Sequence, residues 1–314
     1  MTKTAFLFPG QGSQTVGMGA SLMASCSVAR QIVEQVDAAL GGGLLDIMTN
    51  GSDDELKLTR NAQPALMATA VATARSLEHA TGKSIDQMAD YVAGHSLGEY
   101  SAMTAVHVFD TDVAARLLRH RGDAMQAAVP AGAGAMAALL GVDIEQVEQI
   151  LASVDGLVEI ANDNSAGQVV ISGAAEPVNH AIAAAKDAGV RRAMLLPVSA
   201  PFHCGLMASA ADAMAEILAE TTLHPPAVPV VTNVNAEPET SPGDLRDLLV
   251  RQVTGRVRWR ESLIHMAEQG VTRFVELGTG KVLTGLVKRT LPDVEAFNID
   301  TADDMEKAVV ALSS

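Results

Sequence analysis

Cysteine and aromatic residues are scarce in this 314-residue chain, which has two cysteines, one tryptophan, two tyrosines and six phenylalanines. Cys26 and Cys204 are too few for a disulfide framework and lack the spacing of metal ligands. So few aromatic rings exclude a nucleic-acid surface that stacks bases beside basic residues. Positive charge is short as well, with 22 basic against 37 acidic residues and a formal net charge of −15. Phosphate backbones and anionic membranes repel such a chain outside any local basic patch. Long apolar runs are missing. Ala5 to Phe8 stops at Pro9, too short for the core of an export signal, and the stretch 131–142 is short and broken by glycine. A soluble cytoplasmic protein with no nucleic-acid or membrane partner is expected.

Alanine and aliphatic residues are abundant, and hydrophobic residues make up 48 % of the chain. That composition suits helices packed on a sheet, and the length allows a large core carrying an insertion. Strand-like runs (Thr4 to Phe8, Tyr91 to Gly94, Val228 to Asn233, Thr272 to Leu277) alternate with helical patterns at 20–39, 64–81, 111–127, 205–220 and 282–289. The alternation predicts an α/β fold with a largely parallel sheet. Between 128 and 197 the rhythm changes to strand, helix, two strands, helix, strand, the order of a ferredoxin-like unit. Its first helix starts at Asp143 with Gln146 three residues on, a capping-box spacing. The expected division is therefore a discontinuous core, 1–127 and 198–314, with 128–197 inserted.

Gly94-His95-Ser96-Leu97-Gly98 follows a strand-like run and precedes a helical one. A serine between two glycines at such a turn reads as a nucleophile elbow, with the helix start behind it favouring developing negative charge. The alternative is a glycine-flanked turn whose serine caps the helix. Pro9-Gly10-Gln11-Gly12-Ser13-Gln14 ends the first strand. It fails the dinucleotide fingerprint, because Thr15 stands where the third glycine belongs. Such a loop either supplies a second backbone donor for an oxyanion, beside the N–H of Leu97, or is an ordinary tight turn. A serine needs a base. His79, His107, His180 and His265 lie in helical patterns, and His95 adjoins the serine with its side chain directed elsewhere. His120 and His224 remain open, and His203 is preferred because it follows the serine in chain order and opens a helix.

Six blocks in order resemble the motifs of malonyl-CoA:acyl carrier protein transacylases: Phe8 to Gln14, Gly94 to Gly98, Arg121-Gly122, Ala161 to Ser165, Pro201-Phe202-His203-Cys204 and Gly278 to Leu283. The resemblance implies a hydrolase-like α/β core with a ferredoxin-like insertion. It also implies transfer of a malonyl group from malonyl-CoA to the phosphopantetheine thiol of acyl carrier protein, through an ester on serine, for fatty-acid elongation. In that family's terms Ser96 is the nucleophile and His203 its base, with the Gln11 and Leu97 N–H groups receiving the oxyanion. A backbone carbonyl at Gln252 holds the histidine in place of a triad carboxylate. Arg121 grips the malonyl carboxylate with a bidentate fork, whereas Arg116 and Arg119 fit a solvated helix face. Phe202 narrows the acyl pocket, and Gln63 and Asn162 line it. No permanently bound cofactor or metal is implied, and a monomer is expected. Two departures, Thr279 where many relatives have proline and Thr254-Gly255-Arg256 where Asn-Pro is common, leave the shape beside Gln252 open.

An acidic enzyme meeting an acidic carrier protein needs a local exception to its net charge. Arg251, Arg256, Arg258 and Arg260 cluster in ten residues, and Lys281, Lys288 and Arg289 lie on or near one helix. These are the candidates for a docking patch, with Lys281 and Lys288 on one face. The alternative is scattered solvated charge.

Overall fold

The structure, a computed structural model, describes residues 2–313. In chain order its strands are β1 (Lys3–Phe8), β2 (Tyr91–Gly94), β3 (Gly134–Leu140), β4 (Val158–Ser165), β5 (Gln168–Ala174), β6 (Arg192–Leu195), β7 (Val230–Val231), β8 (Pro238–Glu239), β9 (Val271–Leu277) and β10 (Glu295–Ile299). The larger sheet runs β10-β9-β1-β2-β7-β8 and is parallel except for the β7–β8 pair. β1 lies at its centre, and Ala5 to Phe8 are wholly buried. Alternate side chains enter opposite layers. Phe6 and Phe8 join the main core, while Ala5 and Leu7 pack with Trp259, Leu263, Leu286 and Val287. Burial on both faces is why this strand reads as an apolar run with no polar alternation.

The smaller sheet, β4-β5-β3-β6, is antiparallel throughout. With the helices Ile144–Ala152 and Ala175–Asp187 covering one face, its order is that of a ferredoxin-like fold. Asp143 caps the first helix, accepting the Gln146 N–H at 2.8 Å. The box stays half made, because the Gln146 amide donates instead to Ala188 O. The two sheets meet where β4 bridges the core loop at Val257, through Asp163 N to Val257 O (2.9 Å) and Val257 N to Ala161 O (2.8 Å).

Three expected elements differ. The helix at 20–39 is two, Ala20–Ser25 and Ser27–Ala39, broken at an extended Cys26. The Ser25 hydroxyl turns back onto the carbonyls of Ser21 and Leu22, competing with helix continuation. The helix placed at 64–81 starts at Thr59 and carries Pro64 inside it. The lost N–H bond is offset by burial of almost the whole helix, and the turn before Pro64 is held by the Asn61 amide donating to Glu55 O at 2.9 Å. Finally, the strand at 228–233 shrinks to Val230–Val231. Thr232 turns back on Glu237 and Ala236, and Asn233 is released to the site. The helix Pro242–Thr254, capped by Ser241 with Pro242 in its first turn, escaped the sequence reading.

Candidate active site

The elbow forms where β2 ends and the helix Gly98–Ala105 begins. Ser96 has φ 53°, in the left-handed region that side chains rarely occupy. The flanking glycines make the turn possible by close approach. A Cβ on Gly94 would lie 1.8 Å from Gly98 O, and one on Gly98 would lie 2.2 Å from Phe8 O. Both obstacles are backbone. Gly98→Ala should therefore destabilise the protein by about 2–3 kcal/mol. Thermal melting, read together with Ser96 acylation, checks this, and an unshifted melt with full acylation would contradict it. The strain is held by Asn233, whose Oδ1 accepts the Ser96 N–H at 2.7 Å and whose Nδ2 donates to Gly94 O at 2.6 Å.

His203 also sits at positive φ, 58°, in the buried loop before a short helical turn at Gly205–Met207. The Glu159 carboxylate accepts the Gly205 N–H at 2.6 Å and anchors that turn. The two ends of the imidazole have different partners: Nε2 lies 2.8 Å from Ser96 Oγ and Nδ1 lies 2.9 Å from Gln252 O. A carbonyl only accepts, so Nδ1 carries the proton and the Nε2 lone pair faces the hydroxyl. Burial first, and the Arg121 charge second, push the imidazole pKa down to about 3. The ring is neutral at physiological pH.

Arg121 reaches the same point from the helix Thr111–Ala127 and is 1 % exposed. Gly122 lets this helix close on its neighbour, since a Cβ there would lie 2.7 Å from Arg60 Cα. The guanidinium donates to Gln63 Oε1 (2.9 Å), Gln252 Oε1 (2.9 Å) and Ser96 Oγ (3.3 Å). It lies over the Tyr100 ring, 5.8 Å from the centroid. Burial lowers its pKa, and among the described residues it makes no ion pair. Arg116 instead pairs with Asp112 at the surface, on the solvated face expected of it.

Gln11, Gln63, Ser96, Arg121, Asn162, Phe202 and His203 line one cavity of about 710 Å³, roofed by Met136, Val170 and Leu196 from the smaller sheet and its last connection. The first-strand loop abuts the elbow: a Cβ on Gly10 would lie 2.6 Å from His95 O. The backbone N–H groups of Gln11 and Leu97 have no acceptor among the described residues. Leu97 and Gln252 are both buried and are not among the residues lining the cavity. Asn162 Oδ1 is buried and unpartnered. His95 accepts no part of the serine. Its Nε2 pairs with Asn164 Oδ1 at 2.8 Å, its ring meets Trp259 edge-on, and burial lowers its pKa. His120 and His224 are not among the residues lining the cavity.

The docking candidates divide. Lys281, Lys288 and Arg289 are exposed around the helix Val282–Thr290, with Arg289 also reaching Gln168 Oε1. Arg256 lies near Glu148 and Glu261, Arg258 is forked onto Glu261, and Arg260 pairs with Asp163 at 2.9 Å. Their charge is matched within the fold by Glu148 of the helix Ile144–Ala152, Glu261 of the helix Trp259–Glu268 and Asp163 of β4. The two departures from the family pattern are accommodated quietly: Thr279 packs against Thr69, and Gly255 N closes the helix carrying Gln252 on Arg251 O. Glu99 and Asn233 were missed as site residues. Glu99 was visible as the one charged residue of its short helix, but no pattern marked Asn233.

The sequence profile of the acyl transferase domain family matches residues 5–312. The Escherichia coli (strain K12) protein named malonyl CoA-acyl carrier protein transacylase is 45 % identical over 98 % of this chain and 99 % of its own length. The crystal structure of an acyl-carrier-protein-S-malonyltransferase from Bartonella henselae superposes with a TM-score of 0.97 at 49 % identity, covering 99 % of this chain and 100 % of that one. A malonyl-transacylase solved in complex with its type II PKS acyl-carrier protein gives 0.95 at 40 % identity, over 99 % and 100 %. With that extent of match, and with an elbow serine, an imidazole and a guanidinium brought together from three distant segments, the chain belongs to the acyl transferase domain family.

Proposed function

We infer that this protein moves a malonyl group from malonyl-CoA to the phosphopantetheine thiol of an acyl carrier protein, by way of a malonyl ester on Ser96. One observation carries the reading: Arg121 is a buried cation without a carboxylate partner, 3.3 Å from the hydroxyl that would be acylated. A buried guanidinium in contact only with neutral acceptors is costly, and an acyl group bearing its own carboxylate would pair with it directly. An acetyl group would leave it unmatched, which is how the site would reject the commoner thioester.

In the first half-reaction, His203 Nε2 takes the Ser96 proton as Oγ bonds to the thioester carbon. The carbonyl oxygen becomes an oxyanion between the N–H groups of Leu97 and Gln11. The C–S bond then breaks, and coenzyme A leaves with the proton returned by His203. In the second half, His203 takes the proton of the pantetheine thiol, sulfur attacks the ester carbon, and Ser96 departs reprotonated. The imidazolium formed in each half is steadied by the Gln252 carbonyl, in place of a carboxylate. Gln63 orients the clamp, Phe202 narrows the acyl pocket, and Asn162 offers a free acceptor to the substrate arm. The unit 128–197 roofs the site and keeps water from the ester. The reaction requires no permanently bound cofactor or metal, and the protein works as a cytoplasmic monomer. No described helix is long and apolar enough to cross a membrane.

Intact mass after mixing with malonyl-CoA tests the reading. It expects a persistent malonyl adduct that disappears in Ser96→Ala. Rapid release of free malonate would point to an esterase instead, and absence of any adduct would point to a non-catalytic scaffold.

The carrier protein docks through Lys281, Lys288 and Arg289, exposed cations grouped around one helix that no carboxylate of the described residues pairs with. Reversing Lys288 and Arg289 to glutamate should slow transfer to the carrier about tenfold and make it less sensitive to salt. Loading from malonyl-CoA should stay near its original rate. Stopped-flow measurement of the two half-reactions separates these outcomes, and equal loss in both would remove the docking role.

A further inference from the structure

Glu99 takes no part in the steps above, yet it is completely buried three residues after the nucleophile. Its Oε2 accepts the Asn233 N–H at 2.9 Å and the Gln252 Nε2–H at 3.1 Å, and its Oε1 has no partner among the described residues. The Gln252 amide nitrogen also donates to Ser96 O at 2.9 Å. An ionised carboxylate and a carbonyl both demand the NH2 end of that amide. Its oxygen is therefore turned to Arg121 Nη2, 2.9 Å away. One glutamine thus links an anion to a cation through its side chain while its backbone carbonyl holds His203.

We propose that Glu99 is a positioning residue for the substrate carboxylate, orienting Arg121 through Gln252 and giving up its negative charge to a solvent proton when a malonyl carboxylate occupies the guanidinium. The proposal rests on the malonyl reading. Its physical basis is that two carboxylates sharing one buried cation do not both stay ionised. The groups facing Glu99 are Arg121 from the helix Thr111–Ala127, Tyr100 from its own helix, Gln252 from the helix Pro242–Thr254 and Asn233 from the loop after β7, with His203 beyond Gln252. Burial raises the Tyr100 pKa and holds His203 near 3, so neither changes charge around neutrality. Burial likewise raises Glu99 to about 7, against the lowering by Asn233, Gln252 and Arg121.

The sign follows from linkage. A second negative charge raises the Glu99 pKa further, so the complex holds more proton than the free enzyme at any pH between the two values. Malonyl-CoA affinity is then greatest below about pH 7. It falls above that, by at most tenfold per pH unit.

The test uses the full chain with Ser96→Ala, which binds without acylation. Malonyl-CoA and free coenzyme A are titrated calorimetrically at pH 7.5 in two buffers of different ionisation enthalpy. Malonyl-CoA should take up about half a proton more than coenzyme A. Its affinity should fall about threefold or more between pH 6.5 and 8.5 while that of coenzyme A, whose phosphates are shared, follows only the common trend. Adding Glu99→Gln, which keeps an acceptor for Asn233 and Gln252, should abolish the extra uptake and flatten the extra pH dependence. A purely structural Glu99 would move neither. Equal proton counts for the two ligands, measured with Glu99 in place, overturn the proposal whether or not the glutamine variant folds, and so does uptake that persists in Glu99→Gln. Malonyl-CoA binding no better than coenzyme A at every pH would instead remove the malonyl reading itself.

Discussion

Arg121→Ala should reduce malonyl loading of Ser96 by a factor of about 10² to 10³, while acetyl loading changes little or rises. The size follows from truncating one side of a buried charged contact, which costs about 3–4 kcal/mol when the partner charge is left unpaired. Here the unpaired partner would be the malonyl carboxylate, since the guanidinium is buried with only neutral acceptors, Gln63 and Gln252, besides the serine. Arg121→Lys should fall between. It keeps the charge but not the fork, and a flexible ammonium cannot hold Gln63, Gln252 and a carboxylate at once. Competition between malonyl-CoA and acetyl-CoA, read as the two adduct masses, gives the selectivity directly. Unchanged discrimination in Arg121→Ala would refute the clamp, and a melting curve taken alongside guards against mistaking misfolding for lost recognition.

His203→Ala should slow loading about 10³-fold, the scale of a positioned general base, with the affinity for malonyl-CoA nearly unchanged. The loss belongs to the chemical step because the imidazole touches Ser96 Oγ and Gln252 O and only borders the cavity. The same geometry sets a pH expectation. A histidine at its ordinary pKa would lose base function as pH falls through 6.5. This one is held near 3 in the free enzyme, chiefly by burial, which remains when a malonyl carboxylate engages Arg121, so at saturating malonyl-CoA the single-turnover rate should stay flat from pH 7 to 5. A rate that halves near 6.5 would mean that the imidazole is not held neutral by its surroundings. Saturation matters, because the Glu99 effect acts on affinity and disappears from the rate once the site is full.

Much of this protein was legible in its residue order because the determinants are local. An apolar run buried on both faces marks β1, a glycine on each side of a serine marks the elbow, and the switch to short alternating strands marks the smaller sheet. Local steric demands of this kind leave their trace in adjacent residues. Six short blocks likewise named the nucleophile, base and clamp by resemblance. Other features depended on contacts that residue order does not carry. The helix holding Pro64 persists because its surroundings bury it, and the strand before Asn233 ends because that amide braces the elbow from 137 residues away. Arg256 and Arg258 looked like free charge until Glu148 and Glu261 came alongside. The neutral imidazole and the Arg121–Gln252–Glu99 relay arise only when four segments exclude water together. Burial sets a side chain's charge, and burial is a property of the assembled molecule.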